Sequence, residues 1–502
     1  MLRGRRASRP PRELGRRLGV LLTIAGLAAV PAGVANADLI GSSVGLVTGT
    51  VDATVNTTTA LLGGPSWQYT SGTTVMGDAA ASVGADKLWT LGYTGKGVGV
   101  ALVDTGVVPV TGLTAGNVSN GPDLSLDSQA SNLAYQDSFG HGTHMAGIIA
   151  GQDPPGGLLS GPSWHGMAPN ANLLSVKVGA SDGGVDVSQV IAAIDWVVEH
   201  RADSGRNIRV LNLSYGTSGV QSSQVDPLTH AVENAWRHGI VVVVAAGNSG
   251  TSNPSLDNPA YDPYVLAVGA TDLQGTTNPS DDVVTSFSSR GNAARRVDVV
   301  APGQSIVSLR DPGSYVDTNY PGAVVNSRFF KGSGTSQAAA VVSGAVALLL
   351  QERPSLTPDQ VKALLRSTAT PLPNADAAGS GAGEINVFKA GSAIVPTTVQ
   401  TSPGSTGLGS LESARGSAHV VMNKVALTGE KTILGPWNAK AWAPASYNAQ
   451  AWTGGTWSGQ VWTGSCYCTA TWSGNSWSGN SWSGNSWSGN SWSSDGWLSG
   501  RS

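Results

Sequence analysis

The chain is poor in charge. Only 12% of its 502 residues are Asp, Glu, Lys or Arg, about half the usual ~25%, which excludes the highly charged disorder class. A formal net charge of -3 supplies no bulk attraction for nucleic acid. Two cysteines, Cys466 and Cys468, cannot make a disulfide-dense scaffold. No apolar run reaches the ~18 residues of a membrane span. Lys and Arg are absent from Asp38 to Asp86. Against these shortages stand 67 Gly and 16 Trp. A soluble, Gly-rich protein with at least one large core follows, together with an excess of Trp that needs its own explanation.

The N-terminus reads as an address. Seven Arg from Arg3 to Arg17 precede the apolar stretch Leu18 to Val30, and Ala35-Asn36-Ala37 supplies a small-x-small end. This is the pattern of a cleaved secretory signal over 1–37, so a secreted or cell-surface protein is expected. Arg16-Arg17 leaves Sec and Tat export both open. Without this leader the chain carries 22 basic against 31 acidic residues, a net -9. Residues 38–84 read as an N-terminal segment that could be a short propeptide.

From 85 to 394 short apolar runs alternate with helical segments. Gly97 to Val103, Leu173 to Val178, Val210 to Leu213 and Ile240 to Val244 predict buried strands. Val187 to His200, Pro227 to His238, Ser336 to Glu352 and Thr357 to Ser367 predict helices. The last has a capping Thr followed by Pro. Such alternation specifies an α/β fold, a doubly wound parallel sheet with helices on both faces. Residues 395–435 lack periodicity and read as a linker region.

In open α/β sheets reactive groups gather beyond the carboxyl ends of strands. Three motifs qualify. Asp104 ends the first strand in Asp104-Thr105-Gly106. His141 lies in Gly140-His141-Gly142-Thr143-His144 at the start of an apolar helical run. Ser336 follows Gly334-Thr335 at the mouth of a strongly apolar helix, where free N–H groups and the dipole favour negative charge. Each has a plain alternative: a turn Asp, a structural His and a helix-capping Ser. His141 and His144 as metal ligands find no third ligand at a suitable spacing.

Together, in the order Asp, His, Ser, they form an acid–base–nucleophile set. The region from about Ala85 to Ala390 resembles the subtilisin-like serine proteases (subtilases) of the secreted bacterial type. The resemblance rests on Val103-Asp104-Thr105-Gly106, His141-Gly142-Thr143-His144, Leu213-Ser214-Tyr215-Gly216, Ala245-Ala246-Gly247-Asn248 and Gly334-Thr335-Ser336, with Ser286 to Gly291 and Val299 to Gly303 as further blocks. It implies a serine endopeptidase with catalytic Asp104, His141 and Ser336 and with Asn248 donating to the oxyanion. It also implies that Ser214, Tyr215 and Gly216 form an edge strand for an extended peptide, and that Ala245, Ala246 and Gly247 wall the primary pocket. Protein or peptide substrates follow, and no nucleic acid. No cofactor is required for such chemistry. Structural calcium is common in the family, but Asp153 and Asp182, in plausible loops, match no ligand set. The competing reading is an inactive subtilase-shaped surface or binding protein whose tail carries the function.

The chain departs from the pattern in places. Gln337 stands where Met usually follows the nucleophile. The related Ser-Glu-Asp proteases (sedolisins) lack the His141 block and have Asp where Asn248 stands. Asp137, four residues before His141, is expected to be structural.

Residues 436–502 have a strict period of five. Trp recurs from Trp437 to Trp497 with every gap five or ten, and Tyr447 and Tyr467 hold the two skipped positions. Five matches neither strand nor helix. A small β-solenoid with stacked aromatics and a Ser/Gly-rich tail without fixed fold are both open. An outward row of Trp would suit cell-wall or glycan contact. Cys466 and Cys468 could be buried thiols, a tight disulfide or an intermolecular link.

Overall fold

The computed structural model describes residues 74–154, 164–461 and 477–478, apart from 220, 254, 374, 376, 398, 399, 418, 423 and 424. The leader 1–37 and most of 38–84 lie outside these residues, as do Cys466 and Cys468.

An eight-stranded sheet carries the molecule. Its strands are β1 (Gly99–Asp104), β2 (Val118–Asp123), β3 (Asn172–Lys177), β4 (Ile208–Leu213), β5 (Val241–Ala245), β6 (Leu266–Asp272), β7 (Val283–Val284) and β8 (Val299–Pro302). The order is β2-β3-β1-β4-β5-β6-β7, with β8 also on β6. All pairings are parallel except β6 with β7. Strands β1, β5 and β8 are buried at every residue. Since alternate side chains point to opposite faces, both faces must be covered. The helices that cover them are α1 (His141–Ala150), α2 (Val187–His200), α3 (Pro227–Arg237), α4 (Thr335–Glu352) and α5 (Pro358–Thr368). Helix α1 packs with α4, and α2 with α3.

The helix predictions hold to within a residue at each end, and except at α4 a capping side chain marks the start. Asp186 and Gln189 form a capping box on α2, and Thr357 and Gln360 form one on α5. Helix α4 is buried from Thr335 to Leu350. Its all-round apolar and small side chains fit a central helix.

Residues 74–84 pack on the domain that follows. The helix Met76–Ser82 buries Met76, Ala79 and Ala80 in the main core, and Thr74 bridges Ile306. Residues 395–435, read from the sequence as a linker region, are partly packed on the sheet domain. They contain α6 (Leu411–Arg415), whose Arg415 is buried and donates to Asp186 at 2.6 Å.

The first aromatic pentads fold back on the sheet domain. Helix α7 (Ala439–Tyr447) is followed by a meander in which Trp452 pairs with Trp457 and Trp457 with Gln460. Trp437, Trp442 and Trp457 join the main core, while Tyr447 is exposed. Asp195 of α2 accepts from Trp442 Nε1 at 2.7 Å, Trp457 Nε1 at 2.8 Å and Ser446 Oγ at 2.5 Å. For these pentads the structure is a helix and hairpins rather than stacked coils. Beyond Val461 only Trp477–Ser478 is described, pairing antiparallel with His419 and Val420.

Candidate active site

Asp104 ends β1 at the point where the sheet order turns, with β3 on one side and β4 on the other. Ligands of open α/β sheets sit at such switch points. Its carboxylate receives His141 Nδ1, 2.7 Å from Oδ1 and 2.9 Å from Oδ2, and the Thr105 N–H at 2.8 Å. Both side chains are buried. Burial pushes the Asp104 carboxyl up, and the adjacent His141 pulls the other way.

His141 is the first residue of α1, and this helix is held in place by Asp137. The Asp137 carboxylate accepts from Gly140 N–H, Thr143 N–H and Thr105 Oγ1, each at 2.7 Å. Three such bonds cap the helix start, which is the structural role expected of this residue. Thr105 Oγ1 also accepts from Gly142 N–H at 2.9 Å. A Cβ at Gly142 would lie 2.0 Å from the Gly106 carbonyl oxygen, so the approach of α1 to β1 requires glycine. His144 serves no such purpose. Burial drives its pKa down to about 3, and a backbone hydrogen bond at Leu309 opposes the shift.

Ser336 stands in the first turn of α4, where backbone N–H groups are free of intrahelical partners. Beside it, Asn248 Oδ1 accepts from Thr335 N–H at 2.9 Å and from Thr335 Oγ1 at 3.0 Å. Only an amide oxygen can take two donors, so this contact decides which way the Asn248 amide faces. Thr335 Oγ1 in turn accepts from Gly247 N–H at 3.2 Å. The sequence pointed to Asn248 and Gly247 but not to Thr335, although it lies within the Gly-Thr-Ser motif.

Ser214, Tyr215 and Gly216 continue β4 past the last ladder pair, Leu213 with Val103. The ladders that β4 makes with β1 and β5 stop before them, at Leu213. Ser214 Oγ donates to the Ser336 carbonyl at 3.3 Å and accepts from Asn212 Nδ2 at 3.0 Å. Tyr215 is buried in the main core. Ala245 closes β5; Ala246 donates to Val268 and accepts from Asp257 N–H. The 214–216 and 245–247 segments thus leave adjacent strands, β4 and β5, side by side. The structure joins Asp104 to His141, and Ser214 to the Ser336–Thr335–Asn248–Gly247 group. The helices α1 and α4 that carry the two groups pack together.

The residues considered for calcium do not form a ligand set. Asp153 pairs with Arg328 and accepts from Trp164 N–H, and Asp182 accepts from Gly184 N–H. Among the described residues no three His, Cys, Asp or Glu gather as a metal site, and no helix is long and apolar enough to cross a membrane.

Residues 95–389 match the family model described as Subtilase family. The chain is 40% identical over 299 residues to serine protease AprX of Bacillus subtilis, covering 58% of this chain and 66% of that protein. It is 36% identical over 309 residues to subtilisin DY of Bacillus licheniformis, covering 60% and 94%. Among solved structures it is similar to fervidolysin from Fervidobacterium pennivorans, described as a keratinolytic enzyme related to subtilisin. That match has 30% identity and a TM-score of 0.50, covering 63% of this chain and 45% of the other. The chain belongs to the subtilase family of subtilisin-like serine proteases.

Proposed function

We propose that this chain is a secreted endopeptidase in which Ser336 is the nucleophile, His141 the general base and acid, and Asp104 the group that orients the imidazole. Its family implies protein or peptide substrates. The observation that carries the reading is the hydrogen bond from His141 Nδ1 to both carboxylate oxygens of buried Asp104. It holds Nδ1 as the donor and leaves Nε2 to accept a proton. When Ser336 Oγ attacks a scissile carbonyl, its proton passes to Nε2, and the imidazolium gains a counter-charge that burial has kept from water. The proton then goes to the leaving amine. Water repeats the sequence on the acyl-enzyme, and no cofactor enters.

The negative oxygen of the tetrahedral intermediate takes its donors from the Asn248 side-chain amide and the Ser336 N–H. Thr335 supports this role, because its grip on Oδ1 turns the amide nitrogen away from Thr335. An extended substrate lies along Ser214 to Gly216 by backbone pairing, and its side chain enters between that segment and Ala245 to Gly247. The N-terminal leader supports export. Trp437, Trp442 and Trp457 pack into the enzyme core, and the later pentads, on which cell-wall or glycan contact would rest, lie outside the described residues apart from Trp477–Ser478.

A fluorophosphonate that labels serine hydrolases tests it. Labelling of the folded protein is expected, with loss in Ser336→Ala. Labelling that persists in Ser336→Ala would sink the assignment of Ser336 as nucleophile, and none in the folded wild type would favour an inactive binding protein.

A further inference from the structure

The proposed pocket has an unusual floor. Gly216 belongs to one wall and Gly247 to the other, and both lie against the same side chain. A Cβ at Gly216 would sit 2.7 Å from Asp257 Cβ and 3.3 Å from its Oδ2. A Cβ at Gly247 would sit 2.4 Å from Oδ2 and 2.6 Å from Cγ. Gly247 also has a φ of +106°, so glycine is required there on two counts. The Asp257 carboxylate therefore lies where the two Cβ-free backbones converge. Its own backbone is tied to the wall through the Asp257 N–H to Ala246 O bond at 3.2 Å.

This carboxylate is only 7% exposed. Among the described residues it has no hydrogen-bond donor and no Lys, Arg or His in an ion pair. Several other buried carboxylates are engaged by cations: Asp186 by Arg415, Asp298 by Arg295 and Lys362, Asp127 by Lys177. Burial alone pushes the Asp257 carboxyl up, to about 7. A buried carboxylate without a partner is costly, and a cation brought to it removes that cost. The two walls contribute only small side chains, Ser214, Ala245 and Ala246, which would suit a substrate side chain with an apolar stem and a charged end.

We propose that Asp257 is the specificity residue of the primary pocket, and that the enzyme cleaves after Lys or Arg. The inference rests on the protease reading above and adds its substrate class. The substrate's ammonium or guanidinium supplies the missing partner to the carboxylate as a charge-assisted bond. An apolar side chain would leave the carboxylate buried and unpaired, which is how polar pockets reject apolar competitors.

The test compares three fluorogenic peptides that differ only at the residue before the scissile bond: Arg, its neutral isostere citrulline, and Leu. Active enzyme is first counted by fluorophosphonate titration. For the wild type, kcat/KM for Arg is expected to exceed that for citrulline and Leu by about 10²-fold. In Asp257→Asn the Arg peptide is expected to lose about 10²-fold while the Leu peptide gains, so that the order inverts. The citrulline comparison stands on wild-type protein even if the variant does not fold. Labelled, active enzyme that cleaves Arg and citrulline peptides equally, or prefers Leu, would overturn the inference and leave the protease reading standing. Folded enzyme that takes no label would overturn both.

Discussion

Thr335 shows how much of a site can hang on one hydroxyl. Its Oγ1 accepts from Gly247 and donates to Asn248 Oδ1, so it ties a pocket wall to the proposed oxyanion donor. In Thr335→Val the backbone bond to Asn248 survives and the side-chain bond is lost. We expect kcat to fall about tenfold with KM little changed, and Thr335→Ser to restore most of the loss. By comparison, Asn248→Ala, which removes the donor itself, should cost about 10²–10³ in kcat. Steady-state kinetics on one peptide check both, and a rise in KM with kcat unchanged would refute the positioning role of Thr335. Asp104, His141, Ser336 and Asn248 could be nominated from the sequence because each sits in a short glycine-bearing motif whose local geometry is encoded within a few residues. Thr335 and Asp257 were not read, because what they do depends on partners far off in the chain. Nothing local to Asp257-Asn258-Pro259 says that its carboxylate faces Gly216 and Gly247.

The elements repeat this division. Helices α2, α4 and α5 and strands β1, β3, β4 and β5 follow from caps and apolar runs. Strands β6 and β8 were not singled out as strands, since Leu266–Asp272 and Val299–Pro302 are interrupted by Gly, Thr and Pro and are recognised as strands by their pairing, β6 with β5, β7 and β8. The packing of residues past 395 has a clearer cause. Periodicity reports whether a segment can fold on itself, whereas 400–461 is held by groups on other elements. These are Asp186 and Asp195, on or beside α2, and His230 on α3, whose Nδ1 and Nε2 face the Ser405 and Ala443 carbonyls at 2.8 and 3.0 Å. The Trp excess therefore begins as core material of the enzyme domain. Trp442 is fully buried, bonded to Asp195 and tilted against Trp437 with ring centroids 4.8 Å apart. Trp442→Ala should destabilise the docked segment by about 3–5 kcal/mol. The expected outcome is a lower denaturant midpoint together with new proteolytic cuts confined to about 400–461. Unchanged resistance to added protease would show that the segment does not depend on this anchor.

At the scale of the whole molecule, sparse charge makes each buried carboxyl matter. Besides Asp257 at about 7, burial raises Asp262 to about 8, Asp311 to about 8 and Asp282 to about 9, with neighbouring carboxylates such as Glu233, Asp137 and Glu384 adding to the shifts. In the unfolded chain these groups titrate near ~3.9. Between the two values the folded state binds more protons, so stability must fall as pH rises. Buried His144, held down to about 3, and His230, also lowered, act in the opposite sense, but only below their unfolded value near ~6.5. Lys362, lowered to about 8, opposes only above that value. The window from about pH 6.5 to about pH 8 thus isolates the carboxyls. A Ser336→Ala protein, which cannot digest itself on the proposed mechanism, should lose of order a few kcal/mol of stability across it and melt some degrees lower at its upper end than at its lower. A melting temperature that rises over this interval would mean that these carboxyls are ionised and compensated in the fold. A cationic inhibitor seated on Asp257 should blunt the fall, because a bound guanidinium pulls that carboxyl back down and removes its share of the pH dependence.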